Sequence, residues 1–156
     1  MEYLIIILVI ALALAPLSHF VPSKRQRAVA RMREQAAVSG LFVEFRQLPS
    51  RGEVAKWSSG TLTEGVIYYG RRLSPAKGDK PVRGRWLRQD GGAWQSLGGA
   101  DPAPKLLDRF PPEVLAASVD EGSCGIYWRE SASEDKLPAI ISVIVEWAET
   151  LRPQPG

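Results

Sequence analysis

The sequence predicts an α+β fold. It begins with an N-terminal transmembrane helix and a basic juxtamembrane helix. A small, mostly antiparallel sheet follows, with two or three helices on one face. Three observations predict it. An uncharged run of 19 residues, Tyr3 to Val21, lies next to a dense group of cations. Several short apolar runs are then separated by Gly, Pro and Asp. A final stretch carries apolar residues at helical spacing. With 156 residues the chain has room for one domain of ordinary size. The expected organisation is an anchor at 1–21, a basic helix at 22–40, an α+β domain at 41–152 and a disordered tail at 153–156.

Tyr3 to Val21 contains no Asp, Glu, Lys or Arg. As a helix it reaches ~28 Å, close to the hydrocarbon thickness of a bilayer. Pro16 permits a kink or an end near Ser18. A cleaved signal peptide is the rival reading, because Ala11, Ala13 and Ala15 stand at cleavage-site spacing. Glu2 in the first positions, Pro16 directly after the expected cut and the cations that follow all oppose cleavage. His19, the only histidine, reads as an interfacial polar residue.

The net charge of +3 is unevenly placed. Residues 1–34 hold Lys24, Arg25, Arg27, Arg31 and Arg33 against Glu2 and Glu34, which accounts for all of it; the remainder is balanced. Cations beside an apolar run set membrane orientation, so the N-terminus is expected outside and the domain in the cytoplasm. The expected location is the inner (plasma) membrane, with the anionic inner leaflet of the bilayer as a partner and no nucleic acid. The lone Cys124 requires no oxidising compartment.

Ser23 is positioned to cap the second helix and Gly40 to end it, with Ala28, Val29, Met32 and Ala36 as one apolar stripe. Leu41 to Leu48 reads as a strand, with Leu41, Val43 and Phe45 facing inward and Glu44 and Arg46 outward. Thr61 to Leu73 reads as a second strand, with Gly65 or Gly70 marking a bulge. Asp90-Gly91 predicts a hairpin within Gly84 to Leu97, and Trp86 and Trp94, symmetric about Asp90, are expected to pair across it. Lys105 to Phe110 reads as an apolar turn or short helix, and Pro112 as the start of a helix running to Val119. Gly122 to Glu130 alternates Cys124, Ile126 and Trp128 against Tyr127 and Arg129, and reads as a strand. Leu137 to Leu151 reads as an amphipathic helix capped by Asp135.

No catalytic, cofactor-binding or metal-ligating residue is assigned. Serine and cysteine nucleophiles lack a histidine in the domain, and no Cys/His cluster or phosphate-binding loop is present. Arg71, Arg72, Lys77, Lys80, Arg83, Arg85 and Arg88, set against Asp79 alone, form a candidate interaction patch.

The layout resembles small, uncharacterised bacterial inner-membrane proteins. The likeness is carried by the anchor, the Pro22-Ser23-Lys24-Arg25-Gln26-Arg27 start of the basic helix, and the strand ending Tyr127-Trp128-Arg129-Glu130. Over residues 1–40 it is also similar in architecture to the accessory preprotein-translocase subunit YajC. The resemblance implies a non-enzymatic accessory or interaction protein beside a membrane complex such as the secretion machinery, with a membrane-protein partner. The alternative is a membrane-tethered ligand-binding or sensor module that uses an aromatic-rich sheet surface.

Overall fold

The computed structural model describes residues 2–15, 22–49, 66–74, 82–99, 101–130 and 134–152. Three helices occur among them: α1 (Glu2–Leu14), α2 (Lys24–Val38) and α3 (Leu137–Thr150). The strands are β1 (Phe42–Glu44), β2 (Val66–Arg72), β3 (Gly84–Arg88), β4 (Trp94–Ser96), β5 (Val114–Val119) and β6 (Ser123–Arg129). They form one sheet in the order β1-β2-β6-β5-β3-β4, antiparallel at every pairing.

Helix α1 covers 13 residues, about 20 Å. Among the described residues no helix is long and apolar enough to cross a membrane. Of the expected 19-residue span, the described residues show this shorter helix. It stops just before Pro16, as chains do where a following proline disfavours helical backbone. Residues 16–21 of the expected anchor, with His19 and Phe20, lie outside the described residues, as do residues 61–65 of the expected second strand and the tail.

Helix α2 begins as the sequence indicates. Ser23 Oγ accepts from the Gln26 backbone N–H, and the Gln26 side chain accepts from the Ser23 N–H. Gly40, at φ 79°, follows the last turn. Met32 and Ala36 are buried on one face of the sheet. Helix α3 covers that same face with Leu137, Ile140, Ile141, Val143, Ile144, Trp147 and Ala148. The expected cap Asp135 is instead part of a 3-10 turn, Glu134–Lys136, and α3 starts at Leu137 without a side-chain cap.

The region expected to be helical from Pro112 to Val119 is strand β5, lying between β3 and β6. Val114, Ala116, Ala117, Ser118 and Val119 are all buried. A strand enclosed on both faces loses the polar-apolar alternation that reveals strands. Its register also slips at Leu115, between Val114↔Trp128 and Ala116↔Tyr127, whereas pairing at Gly70 is regular and Gly65 lies outside the described residues. Strand β1 stops at Glu44, and Phe45 is 81% exposed beneath the Arg33 guanidinium, where an inward position was expected.

The β3–β4 hairpin centres one residue later than expected. Arg88 pairs with Trp94 and Trp86 with Ser96, so the two tryptophans are not partners. Gly92 takes φ 84°, and its N–H reaches the Gln89 carbonyl. That backbone suits a three-residue loop closed by glycine. Trp86 instead meets Trp147 of α3 (centroids 6.0 Å apart) and donates to the Asp101 carbonyl. Alternation along β6 is as expected: Cys124, Ile126 and Trp128 lie in the helix-covered core, and Tyr127 lies on the other face with Tyr68.

Candidate functional site

Three features stand out from the core. The first is α1. Every described side chain on it is exposed, from Tyr3 at 80% to Ile10 at 51%, and none is buried against the domain. A helix apolar on all sides has no water-facing stripe.

The second is the division of the five cations behind it. Arg33 grips the Glu130 carboxylate with two hydrogen bonds of 2.8 and 2.7 Å. Glu130 is only 7% exposed and also accepts from the Tyr69 hydroxyl at 2.8 Å. The hydrogen bonds to Glu130 raise the pKa of Arg33, and burial followed by the Glu130 contact raises that of Tyr69, so the phenol remains a donor. Arg31 pairs with Glu134 at 3.3 Å. Both arginines therefore bind α2 to the domain. Lys24, Arg25 and Arg27 have no acidic partner among the described residues. The Arg27 guanidinium donates to the Pro22 carbonyl.

The third is the sheet face turned away from the helices. Phe42, Tyr68 and Tyr127 form an aromatic row, with Tyr68 and Tyr127 centroids 4.9 Å apart. The Arg46 guanidinium lies 4.2 Å from the Tyr68 ring centre, and Arg72 lies 5.2 Å from that of Phe42. Burial pushes the Tyr68 phenol up to about 12. Beside this row is a groove of about 740 Å³, whose lining includes Arg46, Arg85, Gly98, Ser118, Asp120 and Tyr127. A neighbouring hollow of about 510 Å³ shares Arg46 and Asp120 with it. Asp120 is committed to the β5–β6 turn, accepting from the Gly122 and Ser123 N–H groups.

The seven cations of the candidate patch do not share one surface. Arg72 and Arg85 lie on this face, whereas Arg71 occupies the alternate register position opposite core residue Cys124. Arg83 is ion-paired with Glu121. Arg88 donates to the Phe110 and Pro111 carbonyls at 3.0 and 2.6 Å and stacks on Trp94. Lys77 and Lys80 lie outside the described residues. Alternation within a strand and pairing to distant carboxylates separate charges that are neighbours in sequence. Cys124 is fully buried, and burial pushes its thiol up to about 12, so it remains a neutral core group.

No family model, curated protein or solved structure matches this chain. Its functional reading therefore rests on its own residues. Glu130 and Arg46 had no sequence signal beyond ordinary charge, because their roles depend on partners 97 and 22 residues away.

Proposed function

We propose that the protein is a non-enzymatic accessory or interaction protein held at the bacterial inner membrane, with its α+β domain on the cytoplasmic side. One observation carries the reading. An apolar helix that buries nothing against its own domain directly precedes a helix whose leading cations have no acidic partners among the described residues. Water penalises the first, and a bilayer favours both. In sequence the uncharged run continues past α1 to Val21, which would give the anchor the length a crossing needs. The layout shared with the translocase accessory subunit makes a membrane complex such as the secretion machinery the first partner to test.

The full chain is expected to stay with membranes through alkaline carbonate extraction. A reporter fused after Gly156 that fluoresces only in the cytoplasm should be bright. Placing a charge in the middle of α1, as in Ile7→Lys, should release a large part of the chain, because a central lysine costs about 3 kcal/mol in a bilayer. Recovery of wild-type protein from the periplasm, shortened after Ala15, would overturn the reading.

A second reading, a membrane-tethered ligand module, draws on the groove beside Tyr127 and the Arg85 side chain in its wall. Thermal-shift screening of the detergent-solubilised full chain tests it. A stabilising ligand whose effect disappears in Arg85→Ala supports the module, whereas a ligand that stabilises both chains equally counts against this groove.

A further inference from the structure

We propose that the first turns of α2 dock on an anionic phospholipid leaflet through Lys24, Arg25 and Arg27, while Arg31 and Arg33 make no lipid contact and hold the helix to the domain. The inference rests on the membrane-held reading and names the surface that the domain's tether recognises.

Burial along α2 is graded. Residues 22–27 are all exposed, and burial reaches the core only at Met32 and Ala36. Lys24 lies about 12 Å up the helix axis from Met32, so the leading turn is well separated from the buried part of the helix. The charges follow the same gradient. The two arginines near the buried residues are neutralised by Glu134 and Glu130, and the three on the exposed leading end have no acidic partner among the described residues. A cleft of about 640 Å³ opens there, lined by Ser23, Arg25, Gln26, Val29, Ala30 and Arg33. Its wall combines the Arg25 guanidinium with the apolar Val29 and Ala30, a surface suited to a phosphodiester headgroup and the start of its acyl chains, while the Arg33 guanidinium in the same lining is already taken by Glu130. Nucleic acid carries phosphodiesters too, but it offers no medium for the apolar α1 immediately before this patch.

This arrangement also makes α2 a rigid strut. The bidentate Arg33–Glu130 contact, supported by Tyr69, ties its middle to the sheet. A lipid contact at its start would thereby set the domain's distance and tilt at the bilayer.

Hydrogen exchange of the α2 amides, measured on the full chain in nanodiscs, tests the proposal. One set of discs is neutral phosphatidylcholine, and the other contains about one-third phosphatidylglycerol. Each juxtamembrane cation favours the docked state about fivefold, so three together favour it on the order of 100-fold. Exchange in the first turns of α2 should slow by a comparable factor in the anionic discs. The slowing should shrink in high salt and disappear in the K24Q/R25Q/R27Q variant, while R31Q retains it. Equal exchange in both discs, with the chain incorporated in each, overturns the lipid contact and leaves the anchor intact. Failure to incorporate in either disc overturns the membrane reading itself. Equal slowing by inorganic phosphate in neutral discs would assign the site to a soluble anion and also overturn the proposal.

Discussion

Replacing Gly125 by alanine is expected to lower stability by about 3 kcal/mol and Tm by about 10 °C, read by thermal unfolding in circular dichroism. Gly125 pairs with Gly70 at the centre of the β2–β6 ladder. A methyl group there would lie 2.3 Å from the Tyr69 carbonyl oxygen, 2.6 Å from Gly70 Cα and 2.7 Å from Tyr68 Cζ. The first two are backbone atoms of a central strand and have no rotamer to escape through. The third belongs to a fully buried ring that rests over the glycine pair, its hydroxyl 3.4 Å from Ser123 Oγ. Relief of the clash would part the two strands or unseat Tyr68, and either change disturbs the aromatic row beneath Arg46. Gly91 supplies the control: it has a negative φ and nothing within 4 Å of an added methyl group. Gly91→Ala is expected to change stability by less than about 0.5 kcal/mol. Equal Tm values for the two variants would refute the steric account.

The same glycine pair explains part of what the sequence leaves unread. Glycine in a strand signals either a bulge or a close approach, and only the partner strand decides between them. At Gly70 the answer is the ring of Tyr68, and the bulge occurs at Leu115, where no glycine marks it. Strand β6 was legible because its Cys124, Ile126 and Trp128 face one layer and Tyr127 the other. Helix α3 was legible because its buried stripe has helical period, and the start of α2 because Ser23 is a local cap. Strand β5 was not, since burial on both sides replaces alternation with a run of small apolar residues that also favours helix. Charge behaved similarly. The cations beside the apolar run were legible as a group, but the commitment of two of them to the domain depends on Glu130 and Glu134, about a hundred residues away. Sequence proximity suggested one patch around Arg83 and Arg88. The structure gives these two residues to Glu121 and to backbone carbonyls.

Glu130→Ala is expected to cost about 3 kcal/mol, near the lower end for breaking a buried ion pair. The lower end applies because the two partners are left in different surroundings. The Arg33 side chain is 38% exposed and can turn into water, which limits the penalty on its side. Tyr69 is fully buried, forms a T-shaped pair with Trp128 at 5.4 Å and has no comparable escape, so its hydroxyl loses a charged acceptor without gaining water. Tyr69→Phe removes that orphaned donor. Alone it should cost about 1 kcal/mol, and added to Glu130→Ala it should cost almost nothing, because the group it deletes is already unsatisfied. Denaturant unfolding of the two single variants and the double variant measures this non-additivity; strictly additive costs would mean that the phenol and carboxylate act independently. The consequence extends beyond stability. Glu130 stands at the end of β6, the strand paired with both β2 and β5, and Arg33 stands in the middle of α2. Cutting this tie should speed hydrogen exchange in α2 more than in β6, because the helix retains only Met32, Ala36 and the exposed Arg31–Glu134 pair as its main anchors, while the strand keeps a neighbour on each side. A strut released in that way could still touch a membrane at its leading cations, but it would no longer fix how the sheet is held against it.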